Sequence, residues 1–523
     1  MFANNASLRP STTKMMDDSA APDARPSSPT ADVPSGRSRV MLLVVTLGLV
    51  TAGALWFLFT HGASYASGSD ASGYFNSARL LGEGRVSTPV KTIVGLDPAM
   101  WSFYYQQPLG FSVHPQTKEL IPTYPIGLPW HLLLAAKLVG WNKAALLVNA
   151  LAVFATALLT MWLGRRMCGL DWAWTTVAVA LLMVCPLFVF FSLQPMSDVL
   201  ATSWTLLALA AAWQSRVARP WSLLAGAAVG IAVLVRPTNI LVVVPIGVLL
   251  GLDWRRWLLF GAGGVPFAMV QAFYNLQVFE QILTTGYGDV GPLLQTEFVP
   301  HNALHFAQWI PQLLTPLVLL VLGLPWLLRS KPRAVLVICL WGIVLVGFYA
   351  FYYHSGETWW YLRFILPVFP WLLLGAVMVA QRLSARLTSA RWRVALAAVF
   401  AFLAVNYQTG LNRHLDVLAV GPNEKAYYHA ANWLKAHVPD NAIMVAMQTS
   451  GTLQFYTEFP LVRYDLTDAA SFAHFAAVAR QQHRPVIAPL FPFEIDRVVT
   501  ARLGGDWKQI ATVHHITIWQ LNP

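Results

Sequence analysis

Two acids and two arginines stand in this chain where an ionised side chain is costly. Asp70 follows the first long apolar run, in Gly68-Ser-Asp-Ala-Ser-Gly-Tyr-Phe-Asn-Ser-Ala-Arg-Leu-Leu81. Asp198 heads another apolar run, in Ser192-Leu-Gln-Pro-Met-Ser-Asp-Val-Leu200. Arg236 interrupts two apolar runs in Val233-Leu-Val-Arg-Pro-Thr-Asn239, and Arg363 lies in Trp359-Trp-Tyr-Leu-Arg-Phe-Ile-Leu-Pro367. A carboxylate at the lip of a membrane cavity can take a proton from a hydroxyl as a general base. A guanidinium is a planar fork that matches phosphate oxygens. An arginine at membrane depth usually faces a cavity or a partner. Each residue also has a plain structural reading. Ser69 or Asp70, and Ser197 or Asp198, could cap helices. Arg236 could snorkel or pair with an acid, and the aromatic residues around Arg363 suit an interfacial belt.

Three more residues complete the candidate set. Tyr124 lies in Pro122-Thr-Tyr-Pro-Ile-Gly-Leu-Pro129, a rigid, non-helical stretch. It is a structural turn or the wall of a sugar or lipid site. His114, in the same loop, and Glu357 are further cavity candidates. There is no phosphate-binding Gly-rich loop, no HExxH, no nucleophile elbow and no Cys/His cluster with zinc spacing. No cofactor is required, and nothing demands a carboxylate-held divalent metal.

The positioning elements follow from composition and hydropathy. Charged residues make up only 11% of the 523 residues and hydrophobic ones 56%. Soluble domains carry about 25% charged residues. A soluble enzyme, a disordered protein and a nucleic-acid binder are excluded. The fold expected is a polytopic α-helical membrane protein. Residues 1–39 are rich in Ser, Pro, Ala, Thr and Asp and read as a disordered tail. Apolar runs at 40–60, 144–164, 172–191, 198–215, 221–235, 238–252, 257–275, 309–328, 334–353, 363–381 and 394–410 give eleven candidate spans. The pair broken at Arg236-Pro237 reads as a tight helical hairpin or as one long broken helix. The segment 126–141 reads as an interfacial helix. The three cysteines, Cys168, Cys185 and Cys339, imply no disulfide framework.

Placing residues 1–39 in the cytoplasm puts every basic cluster on that side: Arg165-Arg166, Arg216 with Arg219, Arg255-Arg256, Arg329 to Arg333, and Arg382 to Arg393. The opposite loop 276–308 has no Lys or Arg. The net charge of +11 is therefore largely a topology signal. The outer side then carries 61–143, 276–308 and 411–523, the last with the helical and strand-like patterns of a small α/β domain.

Taken together, these segments resemble the GT-C superfamily of membrane glycosyltransferases. The bacterial branch that they resemble is related to protein mannosyltransferases, the aminoarabinose transferase and the Rgt galacturonic-acid transferases. The resemblance spans about 40–410 and rests on SDASGYFNSARLL, YPIG, MSDVLA, the RPT turn and RFILPVFP. It implies a catalytic domain at 40–410 and an extracytoplasmic α/β domain at 411–523. It implies an enzyme of the bacterial cytoplasmic (inner) membrane that transfers a sugar from a polyprenyl-phosphate donor. The acceptor would be an extracytoplasmic glycolipid, polysaccharide or protein. No nucleic acid is involved. Nucleotide sugars are absent outside that membrane, so the donor must be lipid-linked. Its phosphate leaves without protonation, so one base and cations on the phosphate suffice. Asp70 fits the base, Arg236 and Arg363 the phosphate, and direct displacement would invert the anomeric centre. The competing readings are a lipid or polysaccharide transporter or flippase, and a non-enzymatic scaffold. The enzyme reading requires Asp70, Asp198, Arg236 and Arg363 to meet in one outward cavity.

Overall fold

Prolines, glycines and single polar residues cut the apolar chain into helices. The computed structural model describes residues 36–496, 498 and 503–522, with side chains from residue 48 onward. Residues 1–35 of the expected tail lie outside the described residues; helix α1, Gly36–His61, starts before the expected boundary. Next come α2 (Asp70–Gly82), strands β1 (Phe111–Val113) and β2 (Leu120–Pro122), α3 (Gly127–Val139) and α4 (Trp141–Leu163). Then follow α5 (Trp172–Val184), α6 (Pro186–Ser192), α7 (Ser197–Gln214), α8 (Trp221–Val235) and α9 (Val243–Leu250). The last part of the helical body holds α10 (Trp254–Phe279), α11 (Val299–Leu313), α12 (Pro332–Ala350), α13 (Phe369–Ser384) and α14 (Ala390–His414).

The chain is a multi-pass membrane protein. Among the described residues, five helices are long and apolar enough to cross a membrane, or up to seven if each bent pair is one span. Helices cover all eleven expected segments, but several are short or broken. The expected span 172–191 bends by 59° at Pro186. The expected span 309–328 breaks by 105°, where Thr315 adopts φ +66° before Pro316. Proline cannot donate the amide bond that would carry the helix on. Arg236 is extended, at φ −152°, the conformation favoured before a proline. The helices on either side of it do not form a hairpin packed on itself. α8 packs on α10 and α7, whereas α9 packs on α12 and α7.

α7 is the pivot of the fold. It is buried along most of its length, against α4, α8 and the 3₁₀ stretch Trp359–Val368. Ala208, Ala210, Ala211 and Ala212 let its neighbours approach closely. The C-terminal region is a folded α/β unit with α15 (Val420–His437), β3 (Ile443–Val445), α16 (Ser450–Tyr456), β4 (Leu461–Val462), α17 (Ala469–Gln481), β5 (Val486–Leu490), β6 (Trp507–Val513) and β7 (Ile516–Leu521). The sheet order is β4-β3-β5-β7-β6, parallel among the first three and antiparallel beyond. Its strands alternate between two cores, as the pleat requires. Met444 faces α15, while Ile443 and Val445 face Phe472 and Phe475 of α17. Ile93 and Trp101 of the segment 61–143 join that second core, so this segment and the domain are one folded body.

Candidate active site

Asp70 opens α2, but neither it nor Ser69 acts as a helix cap. The Ser69 side chain makes no capping bond, and both Asp70 oxygens are engaged across the fold. Oδ1 accepts from the Tyr124 hydroxyl at 2.7 Å, and Oδ2 pairs with Nη2 of Arg363 at 2.9 Å. Tyr124 also lies 2.7 Å from Ser69 Oγ, so it grips both ends of the Ser-Asp pair. Burial raises the Asp70 pKa, but Arg363, the Tyr124 hydroxyl and Arg236 together bring it below the usual carboxylate value. The carboxylate is therefore ionised at neutral pH. Burial, then the Asp70 charge, holds the Tyr124 phenol well above its usual pKa, so it stays a donor.

The second pair lies deeper. Asp198 Oδ1 accepts from Nη2 of Arg236 at 2.6 Å, with its side chain 0% exposed and that of Arg236 12% exposed. The Asp70 and Arg363 side chains are 23% and 17% exposed. Neither Ser197 nor Asp198 caps α7; its N-cap is Met196, without a side-chain bond. Arg236 also donates to Ser197 Oγ and to the Arg363 carbonyl, each at 3.3 Å. Ser197 Oγ in turn accepts from the Tyr74 hydroxyl at 3.2 Å. Both guanidinium groups lie against Phe364, 5.6 Å and 5.2 Å from its ring centre, and the buried Nε of Arg363 has no hydrogen-bond partner among the described residues.

Close backbone approach makes this geometry possible. A Cβ on Gly73 would stand 2.5 Å from the Tyr124 ring and 2.9 Å from Gly110 Cα. A Cβ on Gly127 would stand 2.4 Å from the backbone of Leu234 and Val235. Glycine at these two positions lets α2 reach Tyr124 and lets α3 rest on the end of α8 that carries Arg236. Tyr287, from the segment 276–308, closes on Tyr124 with ring centres 6.2 Å apart.

Five of the seven sequence candidates thus meet in one cluster: Asp70, Tyr124, Asp198, Arg236 and Arg363. Two lie apart. His114 accepts from the amides of Gln116 and Thr117 in its own turn and stands 3.9 Å from Glu280. Glu357 pairs with His354 at 2.6 Å; His354 stacks on Tyr361, and that ring flanks Arg363 at 5.8 Å. Glu357 is therefore on the rim. Tyr74, Ser197 and Tyr287 were not singled out as site residues. The first two lie in motifs that carry the acids, but Tyr287 had only its place in the outer loop to mark it. Among the described residues, no group of three His, Cys, Asp or Glu side chains could hold a metal.

A groove of about 320 Å³ lies nearby, lined by His131, Leu138, Leu151, Leu200, Trp204 and Leu207 among others. Leu200, Ser203 and Leu207 sit roughly half a turn round α7 from Asp198, so this apolar groove and the charged cluster use different faces of the helix.

The family model described as dolichyl-phosphate-mannose-protein mannosyltransferase matches residues 123–269. No curated protein sequence matches the chain. The structure resembles ArnT from Cupriavidus metallidurans, solved with undecaprenyl phosphate bound, at 15% identity and a TM-score of 0.58, covering 91% of this chain and 97% of that one. It also resembles the arabinofuranosyltransferase AftD from Mycobacteria, at 13% identity and a TM-score of 0.54, covering 91% of this chain and 40% of that one. A third likeness is to the oligosaccharyltransferase of Archaeoglobus fulgidus, at 12% identity and a TM-score of 0.51, covering 86% of this chain and 69% of that one. The fold is that of the GT-C membrane glycosyltransferases.

Proposed function

We propose that the protein transfers a sugar from a polyprenyl-phosphate carrier to an acceptor hydroxyl on the extracytoplasmic side of the bacterial inner membrane. The observation that carries this reading is the ion pair between Asp70 and Arg363, backed by the buried pair of Asp198 and Arg236. An ionised carboxylate beside a partly exposed guanidinium suits this reaction. The carboxylate orients the acceptor hydroxyl and takes its proton as the bond to the anomeric carbon forms. The guanidinium receives the phosphate that departs from the opposite face, so the anomeric centre inverts.

Arg363 is the better placed of the two arginines. Its Nε is a buried donor without a partner among the described residues, and a phosphate that draws the guanidinium from Asp70 would give it one. Losing that cation would raise the proton affinity of Asp70 at the moment a base is needed. Arg236 is held by Asp198, Ser197 and the Arg363 carbonyl, so it supports the phosphate subsite from behind. The undecaprenyl phosphate held by ArnT supports a polyprenyl-phosphate carrier here. A flippase needs no paired base and phosphate cation at the outer rim, and the large outer body built by 61–143 and 411–523 has no part in such a role. Mass spectrometry of envelope glycolipids and glycans from a deletion strain and its parent tests the proposal. One missing sugar mass names donor and acceptor; identical profiles under conditions where the gene is expressed overturn it.

A further inference from the structure

The C-terminal domain places an acidic side chain, Glu424 of α15, against the loop that leads to Asp70. Its carboxylate meets the Ser67 hydroxyl, three residues before Asp70. Glu424 is half-buried, and no described cation pairs with it. It faces Ser67 directly and the charge of Asp70 through space. On its own helix Tyr427 is bonded to Gln448, and Lys425 is exposed. The same loop is held by the domain at further points. The Ala66 amide donates to the Tyr456 hydroxyl at 3.1 Å, Asn76 to the Gly451 carbonyl at 2.9 Å, and Arg79 to the carbonyls of Phe455 and Gln454 at 2.7 Å and 3.0 Å. The domain therefore grips both the loop that delivers Asp70 and the helix that Asp70 opens.

Ser67 has one proton and two acceptors. Its Oγ lies against Glu424 and 3.3 Å from the Tyr65 carbonyl. An ionised Glu424 can only accept, so the single Ser67 proton is contested. A protonated Glu424 donates to Ser67, which is then free to donate to Tyr65, and both bonds are made. We propose that Glu424 is a positioning residue for Asp70 that acts in its protonated form, locking loop 65–69, and that loss of its proton unlocks the loop and switches transfer off at alkaline pH. Burial, followed by the Asp70 charge working against the Ser67 bond, pushes the Glu424 pKa up to about 7, so the lock changes state near neutrality.

The pH profile rests on the glycosyltransferase reading; hydrogen exchange of the loop does not. Both are measured on the full-length protein in lipid nanodiscs. In the parent, amides 65–69 should lose protection as pH rises through about 7, beyond the rise expected from intrinsic exchange. In Glu424→Gln the amide donates to Ser67 at every pH. Protection should then stay constant, and the alkaline fall in kcat should disappear. Glu424→Ala and Ser67→Ala should lower kcat by about tenfold below pH about 7, the scale of one lost neutral hydrogen bond, and should show no further alkaline fall. Constant protection of 65–69 in the parent across this range, or an alkaline limb in Glu424→Gln identical to the parent's, overturns the proposal. A protein without transfer activity but with the exchange transition keeps the lock and refutes only the enzyme reading.

Discussion

Arg236 donates from Nη1 to the backbone carbonyl of Arg363 at 3.3 Å. This bond joins two ion pairs that come from four distant parts of the chain. Like charges repel, yet here the fork of one arginine fixes the backbone that aims the other. Each guanidinium has its own carboxylate, so the cluster holds two cations and two anions. That balance lets four charges lie at the edge of an apolar body, where an unpaired one is strongly disfavoured.

Asp70→Asn should remove transfer while leaving protein abundance near the parental level. Asn keeps the size of Asp: its one oxygen can still accept from Arg363, and its amide can donate to the Tyr124 oxygen. It cannot take up a proton usefully, and loss of a general base costs about 10²–10⁴-fold in rate. Turnover of a polyprenyl-phosphate sugar donor in isolated membranes is the measurement. Near-parental turnover would move the search for a base to Asp198 or to Glu280, Asp289, Glu297 and Glu357.

Asp198→Ala should behave differently. It leaves the Arg236 guanidinium buried without a counter-ion, a change that typically destabilises by about 3–5 kcal/mol. Expression and the thermal midpoint in detergent should both drop, and a double Asp198→Ala, Arg236→Met variant should recover part of the loss. No drop in the single variant would show that water or another group already serves Arg236.

Gly73→Ala should impair activity far more than its size implies. The new methyl would overlap the Tyr124 ring and press on Gly110. Such overpacking costs about 1–3 kcal/mol and would shift the hydroxyl that Asp70 relies on. Gly347→Ala, in α12, is the control, since a Cβ there meets nothing within 4 Å. It should be neutral or slightly stabilising in a helix interior. Equal turnover in the two variants would sink the argument.

Reporter fusions after residue 410 should be active only if the reporter works outside the cytoplasm. The eleven expected spans would put the basic clusters on the side of the N-terminal tail. Cytoplasmic activity would reverse the loops and remove Asp70 from the extracytoplasmic face.

The site was legible in part for a physical reason. Asp70, Asp198, Arg236 and Arg363 stood out because charge next to apolar runs is costly and needs a function or a partner. Their pairing was not legible, since Asp70 reaches Arg363 and not its sequence neighbours. Capping was the competing reading for both acids, and neither α2 nor α7 has a side-chain capping bond. The break at Thr315 was hidden because a non-glycine residue rarely adopts positive φ. The grip of the C-terminal domain on α2 was hidden too. It acts largely through backbone carbonyls of Gly451, Gln454 and Phe455, which leave no mark on residue type. Ser67 and Glu424 are 357 residues apart, so only the folded chain shows them as neighbours.

Tyr124→Phe isolates one hydrogen bond without changing shape. The parent hydroxyl donates to Asp70 Oδ1 at 2.7 Å and stabilises the ionised carboxylate. Removing it should raise the Asp70 pKa, because the charged form loses a donor while the protonated form loses less. The folded pKa in the parent lies below the ordinary carboxylate value, so the base stays ionised until the pH falls below that range. In Tyr124→Phe the acid limb of kcat/KM should move to higher pH. The size should be about one to two pH units, as a hydrogen bond to a charged group contributes about 1.5–3 kcal/mol. At neutral pH the variant should lose turnover through poorer aim of the carboxylate, with ring contacts to Tyr74 intact. An acid limb that stays put while turnover falls would mean that Tyr124 acts on the substrate and not through Asp70.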